Sequence, residues 1–352
     1  MRAYTLLFLY MTFCVTLSSP PNFLSVGDWG SAALGGYHLR NAHDTSSAMK
    51  AYIAEKVRLG QDPPSFVLNT GDNFYYCGIQ NTSDPQISED YTALFGGMGL
   101  SWYHSLGNHD YGFSPEAQLA LNSTIPGWIM DARYYHRRIS ISPTIIANII
   151  VLDTNPCVRD YRGSDRRRWD PCGIQYPDCS PFAEPCRFHE NIIAQDCDAQ
   201  LVWARQTLDN ITTASTSTSE WIFVVGHHKA EEIDAADFQS AFLDDPRVHL
   251  YLNGHTHNLE HYEINGQAKY MTTGAGGMVI IGGDGGGGGG GVAERLSPHH
   301  HRQSNHTNIR SIWSKIVTGF TSHTFMNDGT ALRTEFWDAK KNETVYSFEI
   351  HL

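Results

Sequence analysis

Residues 66–78 read FVLNTGDNFYYCG. The first four form an apolar run of strand length, Thr70 and Gly71 break it, and Asp72 stands at its end with Tyr75 three residues on. An aspartate after a strand is most simply a turn-former, and a tyrosine beside it most simply packs. A further role opens only if the chain brings other metal-binding side chains to the same edge.

Similar runs recur along the chain: FLSVGDWG (23–30), SWYHSLGNHD (101–110), IIANIIVLDT (145–154), EWIFVVGHH (220–228) and VHLYLNGHTH (248–257). Most end in a glycine followed by a polar group. Helical stretches lie between several of them. Met49, Ile53 and Val57 fall at i, i+4 and i+8 ahead of Gly60, a helix-terminating residue, and Leu201, Ala204 and Leu208 share one helical face. This alternation predicts an α/β sheet whose functional loops gather at one edge. Towards the C-terminus, TGFTSHTFM (318–326), ALRTEFWDA (331–339) and TVYSFEIHL (344–352) predict antiparallel strands, and a second sheet packed on the first accounts for both halves.

Loops at the carboxyl ends of such strands bring Asp28, Asp72, Asn108, His227, His255 and His257 towards one crevice. Two aspartates, an asparagine and three histidines form a mixed oxygen and nitrogen set suited to zinc, iron or manganese. The two imidazoles of GHTH either share a strand face or are sent by a turn to neighbouring ions.

The series GDWG, GDNFY, GNHD, VVGHH and GHTH resembles the calcineurin-like metallophosphoesterase superfamily. More narrowly, it is similar to the small mammalian-type purple acid phosphatases, with Tyr75 as the residue that marks that subgroup. The resemblance implies a four-layer α/β/β/α sandwich of two mixed sheets flanked by helices. It also implies a dinuclear centre, with Fe(III) on Asp28, Asp72, Tyr75 and His257. A divalent iron, zinc or manganese would lie on Asp72, Asn108, His227 and His255, with Asp72 bridging. Hard phenolate and carboxylate oxygens favour the ferric state. The implied reaction is acid hydrolysis of phosphomonoesters by metal-activated water, with His109 orienting phosphate or protonating the leaving group. Asp110 either fixes the tautomer of His109 or forms a turn.

The chain departs from the family pattern after His227. A Tyr-Pro step and a second outer-sphere histidine are replaced by HHKAEEIDAADF (227–238). His228 is the candidate replacement, with Lys229 as another source of positive charge, while Glu231 and Glu232 would repel a second negative charge. Pocket loops rather than ligands choose the substrate, so a phosphodiesterase or nucleotide hydrolase is the alternative. A non-catalytic metal-binding glycoprotein would predict damage to the ligand set or to His109, and an iron pair also admits a redox role.

The whole chain carries 352 residues, 41% of them hydrophobic, enough for one large catalytic domain over 21–352. A formal charge of −12 argues against a broad nucleic-acid surface, so the expected partners are small phosphoesters or phosphoproteins. Residues 1–20, with Arg2 ahead of an apolar stretch, have signal-peptide architecture rather than that of a membrane anchor. Six cysteines remain beyond it: Cys77, Cys157, Cys172, Cys179, Cys186 and Cys197. Five of them cluster over 157–197, which suits disulfides in an oxidising compartment better than a zinc cluster, which would favour C-x-x-C pairs. Sequons at Asn81, Asn122, Asn210, Asn305 and Asn342 point the same way, to a secreted or lysosomal/vacuolar glycoprotein. The glycine- and histidine-rich stretch 282–308 cannot supply apolar burial and is expected to be a loop.

Overall fold

The computed structural model describes residues 21–163, 186–214, 218–279 and 308–352. The proposed signal peptide, Cys172, Cys179, Asn305 and the glycine-rich run lie outside the described residues. In chain order the strands are β1 (Phe23–Val26), β2 (Phe66–Asn69), β3 (Ser101–His104), β4 (Trp128–Ile129), β5 (Tyr135–Ser142), β6 (Ile145–Val151) and β7 (Ser219–Val225). They continue as β8 (Leu250–Asn253), β9 (Leu259–Ile264), β10 (Gln267–Thr273), β11 (Ile309–Lys315), β12 (Gly319–Met326), β13 (Ala331–Asp338) and β14 (Glu343–His351). The α-helices are α1 (Gly36–Arg58), α2 (Pro115–Ala120), α3 (Phe188–Ile193) and α4 (Cys197–Ala214).

Two seven-stranded mixed sheets result, in the orders β14-β13-β12-β1-β2-β3-β4 and β11-β9-β10-β8-β7-β6-β5. In the first, β1, β2, β3 and β4 run parallel; in the second, β6, β7, β8 and β10 do. The three C-terminal strands do not make a separate sheet. β12 pairs antiparallel with the free edge of β1, so β12, β13 and β14 extend the first sheet. β9 and β11 complete the second.

Period-two alternation sorts the side chains into layers. Phe23, Leu68, Val151, Phe223 and Leu252 meet between the sheets. Leu24, Val26 and Val67 face the opposite way and pack with Ala42, Met49 and Tyr52 of α1. On the far side, Ile150, Ile222 and Val224 pack with Ala204 and Leu208 of α4. The order is therefore helix, sheet, sheet, helix, the α/β/β/α sandwich.

α1 buries a broader face than three residues suggest. Ala42, Thr45, Ala48, Met49 and Tyr52 are inside, but Val57 is 60% exposed. Each i+4 step overshoots a full turn by about 40°, so by i+8 a residue has left the buried stripe. Gly60, at φ +66°, sends its N–H to Val57 O while Gln61 bonds Lys56 O, closing the helix with paired terminal bonds. Among the described residues, no helix is long and apolar enough to cross a membrane.

Candidate metal centre

The carboxyl ends of β1, β2, β3, β7 and β8 open onto one edge of the sandwich, and each carries its polar residue in a tight turn. Asp28, Asp72, His255 and His257 all adopt left-handed backbone, with φ between 52° and 73°. That region is costly for residues with a Cβ, and it recurs where a side chain must be aimed. Here the turns send carboxylates and imidazoles inward instead of along the strand. Close backbone approach does the rest. A Cβ on Gly107 would lie 2.1 Å from Asp72 Oδ1, and one on Gly254 would lie 2.4 Å from Asp28 Oδ2.

Two groups of donors meet there. In one, Tyr75 Oη lies 3.1 Å from Asp28 Oδ1, 2.9 Å from Asp72 Oδ2 and 3.3 Å from His257 Nε2. In the other, Asn108 Oδ1 lies 3.0 Å from His227 Nε2 and 3.1 Å from His255 Nδ1. Asp72 stands between them, its Oδ2 3.3 Å from His227 Nε2. The left-handed turn therefore divides GHTH, with His255 in one group and His257 in the other. Asp28, Asp72, Asn108 and His227 are buried, as is Tyr75, while His257 is partly open to solvent.

The chemistry of this set fits cations. His227 Nδ1 sits 2.8 Å from the Thr70 carbonyl, which can only accept, so that nitrogen carries a hydrogen. In the neutral ring, Nε2 then presents a lone pair to Asn108 Oδ1 and Asp72 Oδ2, both acceptors if Asn108 Nδ2 is the amide donor. A cation placed among them relieves that opposition. Without one, burial would push the His227 pKa down, but the Asp72 carboxylate holds it up at about 9. Tyr75 is pushed well above the usual phenol range by burial and by Asp28 and Asp72. Replacing its proton thus calls for a strongly charged ion, which is where hard oxygen ligands are most useful.

His109 adjoins the set. Its N–H donates to Asp72 Oδ1 at 2.9 Å, and its Nδ1 faces Tyr76 O at 2.6 Å. The Tyr76 carbonyl, then, fixes its tautomer. Asp110 does the other work that was open to it. Its carboxylate accepts from Gly107, Asn73 and Phe74 N–H and from Gln118 Nε2, tying the β2 and β3 turns together.

His228 lies 4.9 Å from His227 and 4.5 Å from His255, ring centre to ring centre. Its Nδ1 is 2.8 Å from Thr154 Oγ1 and its Nε2 3.0 Å from Tyr161 Oη. Burial, reinforced by the neighbouring imidazoles, pushes its pKa well down, so it is a neutral, doubly bonded ring and not a cationic group. Lys229 is turned aside, with Nζ 2.6 Å from Glu260 and over the Tyr262 ring. Glu232 instead faces the outer nitrogen of His255, at 3.9 Å.

Thr154 and Tyr161 also adjoin the centre, and neither is legible in the sequence. Thr154 ends the IIANIIVLDT run without a glycine, and Tyr161 lies 67 positions before its partner. Local sequence carries no signal for such contacts. Cys157 and Cys197 form a disulfide with each other, and Cys77 and Cys186 are each held in a separate disulfide. The sequon residues Asn81, Asn122, Asn210 and Asn342 are all exposed.

The family model for calcineurin-like phosphoesterases matches residues 21–259. The chain is 28% identical over 264 residues to purple acid phosphatase 7 of Arabidopsis thaliana, covering 72% of this chain and 70% of that protein. It is 27% identical over 266 residues to tartrate-resistant acid phosphatase type 5 of Homo sapiens, covering 72% of each. A solved purple acid phosphatase from yellow lupin (Lupinus luteus) seeds matches at 14% identity with a TM-score of 0.48. That match covers 95% of this chain, which spans 54% of the lupin chain.

Proposed function

The chain belongs to the calcineurin-like phosphoesterase family, and from that premise we propose that it is an acid phosphatase hydrolysing phosphomonoesters at a dinuclear Fe(III)–M(II) centre. The observation that carries this reading is the placement of Tyr75, whose hydroxyl lies between Asp28 and Asp72 and beside His257. Asp28, Asp72, Tyr75 and His257 would hold the ferric ion. Asp72, Asn108, His227 and His255 would hold divalent iron, zinc or manganese. When bound, the pair supplies positive charge for the phosphate oxygens and a water acidic enough to attack phosphorus at low pH.

The protein's own part is positional. The Thr70 carbonyl sets the His227 tautomer, so that Nε2 is the ligand atom. His109 carries its hydrogen on Nδ1, held by Tyr76 O, so Nε2 would orient phosphate or hand a proton to the departing alkoxide only in the doubly protonated ring, a form that burial disfavours and low pH restores. Asp110 keeps the two turns carrying Asp72 and Asn108 at fixed separation. The signal-peptide architecture, the Cys157–Cys197 disulfide and the exposed sequons support export to a secreted or lysosomal/vacuolar location.

One feature favours a second reading, a phosphodiesterase or nucleotide hydrolase. Glu232 faces His255, and burial with Glu231 beside it raises its pKa to about 7, so its charge builds only towards neutral pH, where it would disfavour a dianionic monoester more than a monoanionic diester. Turnover of p-nitrophenyl phosphate against bis(p-nitrophenyl) phosphate separates the two. The ferric assignment is tested by the visible spectrum: a purple charge-transfer band is expected, and Tyr75→Phe should abolish it. A colourless protein with full phosphatase activity would remove iron from the reading and leave a general metallophosphoesterase.

A further inference from the structure

We propose that the cysteine-rich insertion serves the metal centre, and that Tyr161 is the positioning residue through which it acts. The inference rests on the dinuclear reading above. Thr154 Oγ1 accepts the backbone N–H groups of both His227 and His228, each at 3.2 Å. Its own hydrogen is therefore directed to the remaining close partner, His228 Nδ1 at 2.8 Å. A nitrogen that accepts in a neutral imidazole leaves the other as the donor, so Nε2–H points to Tyr161 Oη at 3.0 Å. The His228 ring is thus fixed at both ends, in one tautomer.

That ring is the backing of two candidate ligands. It meets His227 nearly at right angles and lies 4.5 Å from the ring of His255. A third hydroxyl, Tyr251 Oη, holds the His228 carbonyl at 2.6 Å. Of these three hydroxyls, Thr154 and Tyr251 belong to the sandwich, and only Tyr161 comes from the insertion.

Tyr161 is itself held by both arms of the insertion. The Cys157–Cys197 bond joins their bases. Arg162 Nη1 spans them, donating to Pro156 O and Gln195 O at 3.1 Å each. Phe188 packs edge-on against the Tyr161 ring. The same second arm grips the segment that follows His109: Arg187 N–H bonds Gly112 O, and Asn191 Nδ2 bonds Tyr111 O and Phe113 O. The described arms of the insertion therefore reach the centre from two sides, and among their described residues none is a candidate ligand.

The test uses Tyr161→Phe in the full-length, metal-loaded protein, which deletes one oxygen and keeps the ring against Phe188. Three quantities are read: the rate at which a chelator strips the metal, the kcat and KM for p-nitrophenyl phosphate, and the thermal midpoint. Stripping should quicken and kcat fall by about tenfold each, the scale of an outer-shell loss, with KM nearly unmoved and the thermal midpoint lowered by only a few degrees, as the buried His228 Nε2–H loses its acceptor. His228→Gln supplies the second arm of a double-mutant cycle. If Tyr161 acts through His228, the double variant is no worse than His228→Gln alone. Unchanged stripping and kcat in Tyr161→Phe, or effects that simply add in the cycle, would overturn the proposal. A fall in thermal midpoint that accounts for the activity loss would do the same, reducing Tyr161 to a structural residue. If the wild-type chain takes up no metal, it is the dinuclear reading that fails instead.

Discussion

Around the candidate centre, the strand-end turns and the cysteine-rich insertion hold side chains by different physical means. The turns aim Asp28, Asp72, His255 and His257 through left-handed backbone, braced by glycines that allow contact distances no Cβ would permit. The insertion uses a disulfide across 40 positions and a few side-chain hydrogen bonds to reach His228 and the segment after His109. A turn commits its ligand as soon as the adjoining strands are paired. An insertion of this kind commits nothing until its arms are joined. The first arrangement makes the chemistry possible, and the second tunes it.

The largest effect should come from breaking a turn residue. Asp72 touches both donor groups, through Tyr75 Oη and His227 Nε2. Asp72→Ala removes the carboxylate shared between them and leaves the buried Tyr75 and His227 facing a void. Activity should fall by about 10³-fold or more, since several kcal/mol of charge stabilisation is lost and each 1.36 kcal/mol is a factor of ten. Bound metal, measured by elemental analysis, should drop with it. Full metal content together with full activity would mean the two donor groups are independent, and the turns would lose their primacy.

Cutting the insertion's cross-link should act on stability first. In the loop-entropy account, a closure of 40 residues contributes about 4 kcal/mol through the unfolded chain. Cys157→Ala with Cys197→Ala should therefore lower the denaturant midpoint clearly while the protein still binds its full complement of metal. Metal loss in a folded variant that exceeds the faster stripping expected of Tyr161→Phe would show that the insertion holds ligands directly, and the contrast with the turns would collapse.

The same contrast explains what could be read from the chain in advance. Gly-Asp, Gly-Asn-His and Gly-His at the ends of apolar runs are local signals, because the residue that allows the turn and the residue that uses it are neighbours. Six of the donors in the two groups were legible for that reason, whereas Tyr75 was marked only by the family resemblance. The alternation that sorts Phe23 from Leu24 and Phe223 from Val224 was equally local. The attachment of β12 to β1 was not, because an exposed strand edge gives no hint of which distant segment will cover it. Nor was the role of Tyr161, or the exposure of Val57, where strict i+4 spacing drifts off the buried stripe.

Lys229 sits on the boundary between these regions and gives the finest test. It follows two histidines in the β7 turn, so a sequence argument places its charge near the substrate. The fold instead sends Nζ to Glu260 at 2.6 Å and over the Tyr262 ring, on the outer face of the second sheet's β9. Lys229→Gln keeps the length of the stem and removes the charge. The pair is mostly buried, so Glu260 would lose its partner, and stability should fall by about 1–3 kcal/mol, the cost of leaving such a group poorly satisfied. The kcat/KM for p-nitrophenyl phosphate should change by less than about twofold, because an interaction absent from the transition state leaves this ratio alone. A tenfold rise in KM with unchanged stability would reverse that assignment. It would mean that Lys229 swings to the phosphate when substrate binds, and that the loop after His227 belongs with the ligand-bearing turns rather than with the scaffold behind them.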